Sequence, residues 1–101
     1  MGLLSFIFGA KKREVQRFLD NDAVILDVRT DKEYQTNHIE GSKHIPIDQL
    51  QHHVEELKAA KTSYIVCCES GVRSAKAAKF LNLNNIKATN GGGWLKLSKQ
   101  L

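Results

Sequence analysis

The chain has 101 residues, 42% of them hydrophobic and 26% charged, with a formal net charge of +4. That length supports one compact core, and the composition excludes disordered, collagen-like and coiled-coil chains. The two cysteines, Cys67 and Cys68, are neighbours, which excludes a disulfide scaffold and points to reduced thiols in a cytoplasm.

Residues 1–10 form an apolar segment, followed by the basic run Lys11-Lys12-Arg13. A signal peptide carries its positive charge before the apolar stretch, not after it. The stretch is also shorter than the ~20 residues that cross a bilayer, and Phe6 stands where myristoylation needs Ser or Thr. The segment is expected to be a packed strand or a loose tail, with Leu4, Phe6 and Phe8 against the core, or else a weak membrane-surface or self-association patch. No stable membrane insertion is expected. Basic residues elsewhere are interrupted by acidic ones, so nucleic acid is not an expected partner, whereas small anions suit the charge.

Residues 11–101 read as one domain of alternating helices and strands. Lys12 to Asp20 places Val15, Phe18 and Leu19 on one helical face, and Asn21-Asp22 ends it. The apolar run Ala23–Val28 suits a strand covered on both faces. Thr30-Asp31 caps a short helix through Tyr34. Lys43–Ile45 is extended ahead of Pro46. Asp48 is expected to cap a helix with Ile47, Leu50, Val54 and Leu57 at helical spacing. Tyr64–Cys68 is a second buried strand. Ser74–Leu81 is a helix whose alanines allow close approach to a sheet. Ile86–Thr89 alternates as a strand, Gly91–Gly93 is expected to turn the chain, and Trp94, Leu97 and Leu101 line a last helix. This alternation predicts an α/β fold with a mostly parallel sheet of four to five strands between helical layers, and ligands at the carboxyl ends of the strands.

The stretch Cys68-Glu69-Ser70-Gly71-Val72-Arg73-Ser74 lies between a buried strand and a helix start. A thiol there faces backbone amides without intrahelical partners, a positive helix end and a loop suited to anions. Gly71 frees the turn, and Arg73 is expected to add positive charge. Cysteines so placed ionise at about 3.5–7.5 instead of ~8.5. Glu69 opposes this. Placement alone also suits a buried, inert Cys68. Cys67, on the opposite face of the strand, is expected to be inert. Asp27 and Arg29 at the other strand end are expected to serve structurally, Arg29 in an ion pair with Glu33 or Asp27 bonding loop amides, or to touch substrate. His38 and His44 are expected to fix loops by hydrogen bonds. His52 and His53 point ~100° apart on a helix, so no metal site is assigned.

Three stretches resemble the single-domain rhodaneses, a family of sulfurtransferases. They are Ile25-Leu-Asp-Val-Arg29 with Glu33-Tyr34, then His38-Ile39-Glu-Gly41-Ser42-Lys-His44-Ile45-Pro46, and then Cys68-Glu-Ser-Gly-Val-Arg73-Ser74-Ala75 with Gly92-Gly93-Trp94. Ser42 stands where the family usually has Ala, and His44 where it often has Asn. The resemblance implies a rhodanese-like three-layer fold and sulfur transfer from a donor such as thiosulfate, or a protein or small-molecule persulfide, to cyanide or another thiophilic acceptor. It implies a Cys68 persulfide, an anion-binding loop from Glu69 to Ser74, and no cofactor. Four residues separate Cys68 from Arg73. Cysteine-based phosphatases and arsenate reductases resemble this loop but carry five, which makes them the more distant enzyme reading. A non-catalytic binding or persulfide-carrier module is the other alternative.

Overall fold

A computed structural model describes residues 2–101, with the side chains of residues 3–8 outside the description. The expected packing of Leu4, Phe6 and Phe8 therefore lies outside the described residues. The chain runs through α1 (Leu3–Asp20), β1 (Val24–Asp27), α2 (Asp31–Thr36), β2 (Lys43–His44), a 3-10 helix (Ile47–His53), α3 (Val54–Ala59), β3 (Tyr64–Cys68), α4 (Val72–Leu83), β4 (Ala88–Gly93) and α5 (Trp94–Ser98). The four strands pair in the order β2-β1-β3-β4, all parallel.

Two apolar clusters cover the two faces of this sheet. Leu26, Val28, Tyr64, Val66 and Cys68 point to one face and meet Leu50, Leu57, Ala77, Ala78 and Leu81. Ile65 and Cys67 point to the other and meet Val15, Ile39 and Leu97, with Phe18 and Trp94 at the margin. Strand alternation thus places the adjacent cysteines on opposite faces. Small residues on α4 let its backbone lie close to the sheet, and Ala77 is 1% exposed.

Several elements depart from expectation. Helix α1 starts at Leu3, so residues 3–8 are neither strand nor tail. Asp48 caps nothing. Pro46 precedes a 3-10 helix without a side-chain cap. The Ile47 amide there bonds the Val28 carbonyl at 3.0 Å and the Gln49 amide closes on Pro46 at 2.8 Å. The α-helix begins only at Val54. Leu101 lies beyond α5 and is exposed. Thr30 does cap α2, in a capping box completed by Glu33.

The glycine run is strand, not turn. Val66 pairs with Asn90 and Cys67 with Gly92, so Gly91 is an extra residue bulged out of the ladder. A Cβ on Gly91 would lie 2.7 Å from Ile65 Cγ2 and 3.2 Å from the Val66 carbonyl oxygen. Close strand approach, not turning, is what requires glycine here. Gly91→Ala is therefore expected to destabilise the fold by about 1–3 kcal/mol in denaturant titration, the cost of overpacking a filled core.

Candidate active site

Strand β3 delivers Cys68 to the carboxyl edge of the sheet, and α4 starts four residues later at Val72. Gly71 caps α4 at φ 102°, a left-handed geometry open to glycine. The loop folds back over the cysteine. The Gly71 amide donates to Cys68 Sγ at 3.0 Å and the Ser74 amide at 3.4 Å. The Ser74 hydroxyl lies 3.3 Å from the same sulfur. The cysteine is fully buried in this closed loop. Burial pushes the Cys68 thiol up, but hydrogen bonds from the Ser74, Gly71 and Ser70 amides oppose it, and the thiol lies below its ordinary value. Cys67 has the opposite character: burial, reinforced by the Asp27 carboxylate, pushes its thiol up to about 12.

Arg73, expected to add positive charge to the loop, couples to Cys68 but is also paired. Its two terminal nitrogens bond the Glu33 carboxylate at 2.8 and 3.0 Å, which ties α4 to α2 across 40 residues of sequence. The Arg73 hydrogen bonds hold the Glu33 carboxyl down at about 2. Glu69 is partnered as well. Its side chain is 61% exposed and approaches Arg29 at 3.6 Å. Trp94 Nε1 donates to the same Glu69 oxygen at 3.3 Å. The negative charge beside the cysteine therefore has a positive neighbour. Val72 faces solvent, 62% exposed.

Asp27 and Arg29 form a buried ion pair, 0% and 2% exposed. Arg29 Nε reaches both Asp27 oxygens at 3.0 Å and Nη2 reaches Oδ2 at 2.8 Å. Nη2 also bonds the Asn37 carbonyl at 2.8 Å, and the guanidinium lies 4.8 Å from the Trp94 ring centroid. His44 Nε2 meets the Arg29 carbonyl at 2.8 Å, and Tyr34 stacks between His38 and His44. His38 Nδ1 contacts the Tyr34 carbonyl at 2.7 Å.

Sequence reasoning missed two residues here. Glu33 stood out as a negative charge near the positive end of α2 and as a partner for Arg29, not as the anchor of Arg73. Asn90 stood out not at all. Its side chain holds the Gly71 carbonyl at 3.1 Å, the Gly92 amide at 2.9 Å and the Ser74 hydroxyl at 2.7 Å, joining β4 to the loop. An open groove of about 610 Å³ lies beside them, with Ser70, Asn90, Lys11, Lys12, Lys96 and Lys99 in its lining. Among the described residues, no group of three His, Cys, Asp or Glu could hold a metal ion, and no helix is long and apolar enough to cross a membrane.

Two measurements check this account. Asp27→Ala leaves Arg29 buried without its counter-charge, and is expected to cost about 3–5 kcal/mol in denaturant titration. Glu33 is depressed from 4.5 to about 2, so its contribution to stability is complete above pH 4.5 and is lost as pH falls through about 2. Glu33→Gln is expected to flatten the fall of melting temperature across that window. An unchanged acid slope would show that the Arg73 pair contributes nothing.

A family model described as "Rhodanese-like domain" matches residues 11–97. In Bacillus subtilis, a protein named "Putative sulfur carrier protein YrkF" is 38% identical over 68 residues, covering 67% of this chain and 36% of that protein. The tRNA uridine(34) hydroxylase of Cronobacter sakazakii is 37% identical over 83 residues, covering 76% of this chain and 24% of that enzyme. The chain spans about half or less of the length of these relatives. Among solved structures, a rhodanese-like domain protein from Staphylococcus aureus superposes with a TM-score of 0.71 at 31% identity, covering 86% of each chain. Motif order, an all-parallel sheet with a cysteine loop at its carboxyl edge, and a match over nearly the whole chain agree: the chain belongs to the rhodanese-like domain family.

Proposed function

We propose that this chain moves sulfane sulfur through a persulfide on Cys68. The observation that carries the reading is the sulfur itself, bonded by the Gly71 and Ser74 amides at the start of α4. Amides fixed by the fold stabilise an anionic sulfur without reorganising during the reaction. The Cys68 thiolate attacks the outer sulfur of thiosulfate. A new S–S bond forms to Cys68, the bond to the sulfonate sulfur breaks, and sulfite leaves with the electron pair. Cyanide or a thiolate then attacks the outer sulfur and returns the Cys68 thiolate.

Two neighbours support an anionic donor. Arg29 offsets Glu69 at the loop, and Ser70 shares the lining of the groove with four lysines. The four-residue spacing from Cys68 to Arg73 gives a tighter loop than cysteine-based phosphatases use, and Arg73 is engaged by Glu33 instead of facing a phosphate-sized guest. The relative named as a sulfur carrier is consistent with the same chemistry. A thiol persulfide delivered by a protein or a small molecule is an equivalent donor.

Intact mass measurement tests the reading. After thiosulfate or polysulfide, the protein is expected to gain about one sulfur, ~32 Da, and to lose it with dithiothreitol or cyanide. Cys68→Ser is expected to fold normally and gain nothing, with thiosulfate:cyanide turnover abolished. Cys67→Ala is expected to keep the gain at a cost of about 1 kcal/mol in stability. No gain with either donor, or a gain that persists in Cys68→Ser, overturns the proposal.

A further inference from the structure

Asn90 is connected to the candidate nucleophile through one hydroxyl group. Its Oδ1 accepts from the Gly92 amide at 2.9 Å and its Nδ2 donates to the Gly71 carbonyl at 3.1 Å. A backbone N–H only donates and a backbone C=O only accepts, so these two contacts fix which end of the side chain is oxygen. Ser74 Oγ lies 2.7 Å from that oxygen and must donate to it. The same Oγ lies 3.3 Å from Cys68 Sγ. A hydroxyl has a single proton, and it cannot serve both neighbours.

With the proton directed at Asn90, Ser74 presents only lone pairs to the sulfur. That arrangement suits a thiol, which donates its S–H to Ser74 and accepts from the Gly71 and Ser74 amides. It opposes a thiolate. The amides stabilise the anion as they stand, whereas the hydroxyl helps only after its proton has turned to the sulfur. Asn90 cannot supply a replacement proton from Oδ1, since an amide oxygen has none.

We propose that Asn90 is a positioning residue for Cys68: it captures the Ser74 proton, so that the hydroxyl opposes the thiolate unless that proton leaves Asn90 for the sulfur. The proposal rests on the persulfide reading for its consequence alone. Where the thiolate is the attacking species, Asn90 sets what share of Cys68 is reactive at neutral pH. The charged and titratable groups around the sulfur are otherwise engaged with one another. Arg73 on α4 pairs with Glu33 on α2, Arg29 on β1 pairs with Asp27, and Glu69 in the loop contacts Arg29 and Trp94. Cys67, next on β3, lies on the far face of the sheet with its thiol pushed up to about 12.

The test is the pH dependence of Cys68 alkylation by iodoacetamide in a Cys67→Ala background, with Ser74→Ala, Asn90→Ala and both together. Asn90→Ala is expected to lower the apparent pKa of Cys68 by about 0.5 to 1 pH unit, because the hydroxyl is freed to donate to sulfur. A purely structural role for Asn90 predicts the reverse, since loosening the loop withdraws its amides. With Asn90 present, Ser74→Ala is expected to leave the apparent pKa unchanged or to lower it. In the Asn90→Ala background the same change is expected to raise it. This reversal of sign is the signature of a shared proton. A rise on Ser74→Ala of equal size in both backgrounds overturns the proposal. Should Asn90→Ala fail to melt cooperatively, Ser74→Ala alone decides, and a rise of ~0.5 or more refutes the capture. Alkylation needs no sulfur transfer, so loss of the thiosulfate mass gain with these shifts intact refutes the transfer reading and leaves this one standing.

Discussion

The buried pair of Asp27 and Arg29 is the constraint on which the site is built. Arg29 leaves the end of β1 and holds, at once, the Asp27 carboxylate, the Asn37 carbonyl beyond α2, the Trp94 ring at the start of α5 and the edge of Glu69 in the cysteine loop. Its own carbonyl meets the ring of His44, the last residue of β2. An ion pair removed from water gains little over an apolar packing of the same volume, but losing either partner strands a buried charge. The arrangement therefore contributes specificity more than bulk stability. Alternatives in which the segments at the carboxyl edge shift independently would leave a guanidinium or a carboxylate unpaired.

That constraint shapes the electrostatics around Cys68. A cation and an anion, Arg73 and Glu69, flank the loop in sequence, and neither acts on the sulfur as an isolated charge. Arg73 is held by Glu33, which also completes the cap of α2 through Thr30. Glu69 is drawn toward Arg29 and Trp94. With side-chain charges paired, the amides of the loop become the leading fixed donors to sulfur. Amide dipoles stabilise an anionic sulfur without adding a full charge that burial would penalise.

Much of this was legible in the sequence, for reasons that differ by element. Ala23–Val28 and Tyr64–Cys68 stood out because strands buried on both faces are continuous apolar runs. The contrast between Cys67 and Cys68 followed from the period of two along a strand. Thr30-Asp31 marked the start of α2 as a cap. What was not legible depends on partners far along the chain. Helix α1 begins at Leu3 without a side-chain cap, so no residue type announced its start. Asp48 has the composition of a cap, but the Ile47 amide is already committed to Val28 across the sheet. The Arg73–Glu33 pair and the Asn90 contacts join residues separated by 40 and by 16 to 19 positions, and no local pattern marks them.

The glycine run shows most clearly why local reading falls short. Three successive glycines read as a turn when only backbone freedom is weighed. Two of the three are instead demanded by contact. A Cβ on Gly91 would enter the space of Ile65, and one on Gly93 would lie 2.7 Å from the Glu69 carbonyl oxygen. From the other side, a Cβ on Gly71 would meet the Gly92 Cα at 3.3 Å. The loop over Cys68 and the end of β4 are thus pressed backbone to backbone. This proximity lets one short side chain, Asn90, span the bulge at Gly91 and reach both the Gly71 carbonyl and the Ser74 hydroxyl. A longer loop or a bulkier strand end would separate these groups by more than a hydrogen bond can cover. The dimensions of the cysteine site are therefore set as much by what β4 lacks, side chains at Gly91 and Gly93, as by the residues of the loop itself.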